Sequence, residues 1–457
     1  MAFFILLKLQ YNNFVILNPI VMREIIGKYC KDCKIFTDNV EDEAISLICD
    51  ICNHPVFDGA KIRIMPDTHA GKGIVIGFSC PITEGVAPAH VGCDIGCSMT
   101  TIQLSGLIPE DKYEWFEHKV KTLVPTGFNL NDGALKREDE KMFYAFLTKE
   151  YNKARSAWPD MIPEVGRIDE KYINSLLNRV GMDASVFYKS LGTLGGGNHF
   201  MEYGTCGDKG FFTVHCGSRN FGLKVFNYWN KISNASKISK DTLKEISAQV
   251  KIDYPNDRTS WKKLIDERVE DLRKHKANGY VYGEDLKGYL SDMVIAQAYA
   301  AFNHEMIIKK IESILIKANL SVVDKIFTTH NYIDFTDHII RKGAINAAEG
   351  NTLIIPFNMR DGIAICRGKG NEDWICTAPH GAGRIMSRSK AKKMISLDEF
   401  KDSMKGIYST SICSGTLDES PMVYKDMNEI VELIKPTVDI LYFIKPRINI
   451  KATDGGE

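Results

Sequence analysis

The sequence predicts a fold that mixes strands with helices, and three observations carry that expectation. From Lys61 onward, short apolar runs broken by glycine end in polar loops. A predominantly helical block then occupies Leu223 to Asn319. After it the strand-then-loop pattern returns, from Lys325 to His380.

Size and charge set the frame for these elements. At 457 residues with 44% hydrophobic and 25% charged, the chain can bury a large core, as one big domain or as two to three ordinary ones. The 58 basic residues balance 58 acidic ones, so no global basic field marks a nucleic-acid binder, and any RNA or DNA must be held by a local patch. Twelve cysteines without a secretory leader predict reduced thiols in a cytoplasmic protein. Met1 to Leu7 is apolar but has no basic residues ahead of it and is too short to span a membrane. Residues 1–21 are read as a dispensable extension, with Met22 as the working start and no membrane association.

Cys30-Lys31-Asp32-Cys33 and Cys49-Asp50-Ile51-Cys52 are two CxxC pairs with fifteen residues between them, within the range of zinc ribbons. Against zinc, Ala44, Ile45, Ile48 and Cys52 recur at helical spacing behind Asp38-Asn39. This makes Glu41 to Cys52 a helix and its cysteines ordinary packed thiols. Lys61 to Met65 reads as a strand delivering Pro66-Asp67-Thr68-His69-Ala70-Gly71-Lys72-Gly73, and a second strand begins at Ile74. The next loop is Val91-Gly92-Cys93-Asp94-Ile95-Gly96-Cys97-Ser98-Met99. Asp94 and Cys97 are three apart, so one turn can bring a carboxylate and a thiolate to one ion; equally, Asp94 can cap the turn and Cys97 be buried.

Leu107 to Phe187 carries helical stretches around Asp111–Lys121 and Glu140–Asn152 and reads as scaffold or lid. Then Gly195-Gly196-Gly197 opens onto Asn198, His199 and Glu202, and strand-like Phe212-Thr213-Val214 ends in His215-Cys216-Gly217-Ser218-Arg219. Glycine amides with no side chain in the way suit phosphate oxygens. A histidine alone is more often a core residue, but two at strand-to-loop transitions beside glycine point to a site. In the helical block, residues 223–319, the apolar stripe of Asp292 to Ala318 is core, and Trp261 to His275 is a solvated face. The block is predicted as an insertion that clamps RNA or shapes the site.

Beyond it, Lys325 to Thr329 leads into His330-Asn331, and Asn351–Pro356 with Gly362–Cys366 predicts a strand pair around Phe357 to Asp361. Trp374-Ile375-Cys376 delivers Ala378-Pro379-His380-Gly381-Ala382-Gly383-Arg384. The two glycines let a bulky group approach the backbone, and the arginine fork suits phosphate, although HGxG alone is more often a glycine turn. The basic run Arg384, Arg388, Lys390, Lys392 and Lys393 is a solvated helix face or a phosphate-backbone track. Together, Asp94, Cys97, His199, His215 and His330 make a dinuclear metal centre with a bridging thiolate; on ligand softness the metal is zinc. His380 is left as a nucleophile toward phosphorus.

The motifs MPDTHAGKG, VGCDIGCSM, LGTLGGGNHF, HCGSRNFG, THNY, HGAGR and MVYKDM, in this order and ending with Lys451, resemble the RtcB family of tRNA-splicing RNA ligases from Arg23 to Lys451. The resemblance implies one large α+β domain over residues 22–457, two manganese ions and GTP. The implied reaction joins RNA 2′,3′-cyclic phosphate or 3′-phosphate ends, in broken or intron-cleaved RNA such as tRNA, to 5′-hydroxyl ends. An activating partner is compatible with it. One manganese would take Cys97, His215 and His330, and the other Asp94, Cys97 and His199, and here the resemblance overrides the softness argument. His380 would carry the guanylate. Asn198, His199, Phe200, Met201, Glu202, His330, Asn331, Gly381, Ala382, Gly383, Tyr424 and Lys451 would hold it. One loop departs: better-known members carry a small, hydroxyl-bearing sequence where this chain has Phe357-Asn358-Met359-Arg360-Asp361-Gly362-Ile363, as in a side branch whose substrate is damaged RNA. The runner-up is a dinuclear metallophosphoesterase, which leaves His380 unexplained. A non-catalytic RNA-binding module would need a broad basic or aromatic surface.

Overall fold

A computed structural model describes residues 16–17, 22–133, 135–234, 240–276 and 279–453. Helices and sheets are both extensive, in the α+β manner expected. Two seven-stranded sheets form the frame. The first has the order Ile16–Leu17, Arg23–Ile25, Asp32–Ile35, Lys61–His69, Ile76–Pro81, Ile339–Lys342, Asn331–Asp334. Its neighbours are antiparallel except for Asp32–Ile35 beside Lys61–His69. The second has the order Val322–Thr329, Ser98–Leu104, Lys209–Cys216, Phe200–Cys206, Val438–Ile450, Gly362–Gly368, Thr352–Asn358, all antiparallel.

The chain crosses between these sheets at two points that matter. Ile76–Pro81 of the first sheet is followed, through the loop bearing Asp94 and Cys97, by Ser98–Leu104 of the second. Val322–Thr329 of the second passes to Asn331–Asp334 of the first at a single residue, His330. A polar loop at such a crossover is held by both sheets, so its side chains are positioned without either sheet being interrupted.

The helix read over Glu41–Cys52 forms as Asp42–Cys52, with Glu41 and not Asp38-Asn39 at its N-cap. Cys30, Cys33 and Cys52 are buried and Cys49 is half-buried in the apolar core. The neighbouring Cys52 thiol, followed by burial, pushes Cys30 well above the ordinary thiol range. Among the described residues, which include all twelve cysteines, no disulfide forms.

The block predicted as an insertion divides in two. Gly283–Lys317 is buried on nearly every side from Leu286 to His304 and on one face beyond it: Leu286 to Phe302 contribute to one core cluster, and Ile307 to Leu315 to another. A helix apolar on every side is a core element, so this one is central to the domain. Lys240–Asp253 and Trp261–Lys276, in contrast, are largely polar and pack against each other. Of the 1–21 extension, only Ile16 and Leu17 are described, paired with Ile25 and Glu24; the rest lies outside the described residues. No described helix is long and apolar enough to cross a membrane.

A second difference lies just before His380. Trp374-Ile375-Cys376 is not a strand: Trp374 ends a short 3-10 turn, and Ile375 and Cys376 are left-handed, at φ 45° and 49°. Trp374 stacks on Phe36, with ring centroids 3.8 Å apart, and the Cys376 N–H donates to the Asn371 carbonyl at 2.9 Å. This turn is stabilised by packing that the apolar run does not reveal. The strand follows as Thr377–Pro379 and pairs with Ala344–Asn346.

Candidate active site and metal centre

Strand register gathers the predicted ligands at one end of the second sheet. Thr329 pairs with Ser98, Ser98 with Cys216, Met99 with His215, and His215 with Phe200. Cys97, His199 and His330 each lie one residue outside one of these paired ends, so four strands bring their side chains together. Asp94 joins them through the turn in which the Cys97 N–H donates to the Asp94 carbonyl at 3.2 Å. Gly217 makes room for it, since a Cβ there would lie 2.2 Å from Asp94 Oδ1.

Two triads result, Cys97–His215–His330 and Asp94–Cys97–His199, each with ligand atoms within 4.8 Å of one another and sharing Cys97. The Cys97 Sγ is 3.2 Å from His215 Nε2 and 3.6 Å from His199 Nε2. His215 Nε2 is 3.1 Å from His330 Nε2, and His199 Nε2 is 2.9 Å from Asp94 Oδ2. Burial, reinforced by the surrounding imidazoles, holds His215 and His330 well below the ordinary histidine range, which keeps them in the neutral form that binds metal. Burial alone would raise Asp94, but His199 and Cys97 outweigh it and bring the carboxyl down to about 2. Converging lone pairs with too few protons between them fit divalent cations.

His380 lies on the other side of His330, with ring centroids 5.0 Å apart. Its Nδ1 is 2.6 Å from Oδ2 of the fully buried Asp67, and its backbone N–H donates to the same oxygen at 3.2 Å. The ring is thereby oriented with Nε2 left for a ligand. Gly383, at φ +77°, allows this approach: a Cβ there would sit 2.1 Å from the Asp67 carbonyl oxygen.

Between the metal ligands and the His380 loop lies a cavity of about 260 Å³. Asn198, Phe200, Glu202, His215, His330, Asn331, His380, Gly381, Ala382, Gly383, Tyr424 and Lys451 all line it, which brings most of the predicted nucleotide set together. Met201 does not. Strand alternation turns Phe200 and Glu202 toward the cavity and Met201, paired with Val214 and Ile450, into the core.

Two buried carboxylates in this cavity differ in charge preference. Burial pushes Glu202 up to about 8, and its hydrogen bond from Asn449 and the charge of Lys451 lower it only in part. Burial would also raise Glu419, yet Lys451, Arg388 and Arg384 hold it at about 2. Glu419 accepts from Tyr424 Oη at 2.9 Å and pairs with Lys451 at 3.0 Å. The basic run therefore divides: Lys390 and Lys393 are exposed, whereas its other members pair with acidic groups. Arg384 and Arg388 bind Glu419, and Arg388 and Lys392 bind Asp418.

Residues 49–452 match the model of the family described as tRNA-splicing ligase RtcB. The chain belongs to the RtcB family. It is similar to the RNA-splicing ligase RtcB of Escherichia coli (strain K12), 29% identical over 90% of this chain and 95% of that protein. It also resembles the tRNA-splicing ligase RtcB of Aeropyrum pernix, 26% identical over 81% of this chain and 83% of the relative. The RNA-splicing ligase RtcB of Mycobacterium bovis is 24% identical over 80% and 91%. As an RtcB-family member the protein is an RNA ligase.

In this RtcB-family chain the variant loop forms the predicted hairpin, Thr352–Asn358 with Gly362–Gly368. Phe357 and Met359 are buried, and the charges are satisfied locally: Arg360 Nε donates to Asp361 Oδ1 at 2.7 Å, as does Asn358 Nδ2 to Asp361 Oδ2. Sequence reasoning missed Asp67, Glu419 and Asn449 as site residues. Asp67 carried a signal, a carboxylate at a strand end within the PDTH run. Glu419 and Asn449 carried none beyond their spacing from Tyr424 and Lys451.

Proposed function

We propose that this enzyme joins RNA 2′,3′-cyclic phosphate or 3′-phosphate ends to 5′-hydroxyl ends, using GTP and two manganese ions, in tRNA splicing or RNA repair in the cytoplasm. The observation that carries the reading is His380, oriented by Asp67 at 2.6 Å and facing a cavity that His215 and His330 of one metal triad also line. Asp94, Cys97, His199, His215 and His330 would hold the cations, which supply charge neutralisation at phosphate and a lowered pKa for a bound hydroxyl.

His380 Nε2 donates its lone pair to the α-phosphorus of GTP. An N–P bond forms, the bond to the bridging oxygen breaks, and pyrophosphate leaves with that electron pair. Asp67 fixes the ring and offsets the positive charge that develops on it, as the acid of a triad does for its histidine. A 2′,3′-cyclic phosphate end is first opened by water to a 3′-phosphate, the bond to the 2′-oxygen breaking. An oxygen of the RNA 3′-phosphate then takes the guanylate as the N–P bond to His380 breaks, and the 5′-hydroxyl displaces GMP to close the strand. Asn198, Phe200, Glu202, Asn331, Gly381 to Gly383, Tyr424 and Lys451 orient the nucleotide. In a metallophosphoesterase built on the same triads a histidine held in this way would serve as a general acid or base and form no covalent nucleotide, which is the difference the experiment reads.

The test is incubation with manganese and α-labelled GTP. The reading expects a protein-bound label that survives alkali and is released by acid, as a phosphoramidate is. Release of labelled hydrolysis products with no protein adduct would support the phosphoesterase instead.

A further inference from the structure

At the inner end of the cavity, Asn449 and Glu202 are direct cross-strand partners in the second sheet. Both are almost fully buried, at 1% and 2% exposure, and both line the cavity. The Asn449 amide Nδ2 donates to Glu202 Oε2 at 3.0 Å. Once Glu202 is ionised, the opposite orientation of the amide would set its carbonyl against the carboxylate. The backbone of Asn449 is also fixed, its N–H donating to the Tyr408 carbonyl at 3.1 Å and its carbonyl accepting from Ser409 Oγ at 2.6 Å. Two polar atoms remain without a partner: Glu202 Oε1 and Asn449 Oδ1. Asn449 Oδ1 is an acceptor as it stands, and Glu202 Oε1 becomes one when arriving N–H donors ionise the carboxyl that burial keeps protonated. An unmet acceptor here is costly, so the pair describes the ligand that belongs there.

We propose that Asn449 is a specificity-determining residue that reads the nucleotide base. With its donor held by Glu202, its carbonyl and the second Glu202 oxygen form adjacent acceptors for the 1-imino and 2-amino groups of guanine. Adenine offers a lone pair at N1 and no amino group at C2, so it meets these acceptors with repulsion and an unfilled position. The selection of guanine thus resides in the strand pair 200–206 and 438–450 and does not depend on the Phe357–Ile363 loop. This rests on the reading above that the cavity takes GTP.

Inosine triphosphate isolates the claim, because it keeps the N1–H and lacks only the 2-amino group. The wild-type protein is expected to take label from GTP at least about tenfold faster than from inosine triphosphate at equal subsaturating concentrations. In Asn449→Leu that ratio should collapse toward one; the ratio is internal to each sample and so does not depend on the folded fraction. If the variant takes no label, calorimetric binding of the two nucleotides to wild type and to Asn449→Val gives the same ratio. No discrimination in the wild type, or a wild-type ratio retained in the variants, overturns the inference. A wild type that binds GTP over inosine triphosphate but forms no adduct would instead count against the covalent step and leave the role of Asn449 standing.

Discussion

His380 and Asp67, 313 residues apart in the chain, meet through a 2.6 Å contact between Nδ1 and Oδ2. The contact is made twice, since the His380 N–H donates to the same oxygen. A carboxylate placed there sets both the tautomer and the direction of the ring. Asp67→Asn should keep the shape of the loop and lose that charge. Its rate of guanylylation should fall by about a hundredfold or more while metal content is unchanged. Stopped-time labelling with GTP alongside elemental analysis reads both, and an unaltered labelling rate would remove Asp67 from the account.

Cys97 belongs to both metal triads, whereas Cys93 is exposed and belongs to neither. Cys97→Ala should therefore lose bound manganese at both positions and more than about a hundredfold in joining activity. Cys93→Ala serves as the control and should retain both metals. Normal metal content in Cys97→Ala together with depletion in Cys93→Ala would invalidate the ligand assignment.

Glu202 makes a prediction about stability. Burial raises its carboxyl from 4.5 to about 8, so between those values the folded protein holds a proton that the unfolded chain has released. The stability this group contributes is complete below 4.5 and is lost as pH rises through about 8. Without nucleotide, the wild type should lose up to about 1.4 kcal/mol per pH unit more than Glu202→Gln across that window. Denaturant titrations of both proteins at several pH values would show parallel slopes if the carboxyl is not raised.

Much of the site is legible because Asp94, Cys97, His199 and His215 each lie within two residues of a glycine, and His215 and His330 end strand-like runs. What the spacing could not supply is the register that sorts five residues into two triads, which comes from pairings such as Met99 with His215. The side chain of Met201 lies in the core because strand alternation turns it away from the cavity that Phe200 and Glu202 line, which a run of five consecutive residues does not reveal. The stripe from Asp292 to Ala318 is legible as core, but that Gly283–Lys317 is central and not part of an insertion with its polar neighbours follows only from two cores meeting along it. Asp67 escaped notice because its partner is remote, and the left-handed Ile375-Cys376 because a turn packed on Phe36 leaves an apolar run looking like a strand.

The central claim is that His380 alone carries the guanylate while the histidines of the triads hold metal. It is tested most directly by His380→Ala, assayed both with GTP and with RNA whose 3′-phosphate has been guanylylated in advance. The account predicts no protein-bound label and no joining of ordinary ends, with two metals retained and the pre-guanylylated RNA still sealed to a 5′-hydroxyl. Label uptake from GTP at the wild-type rate in His380→Ala would contradict it.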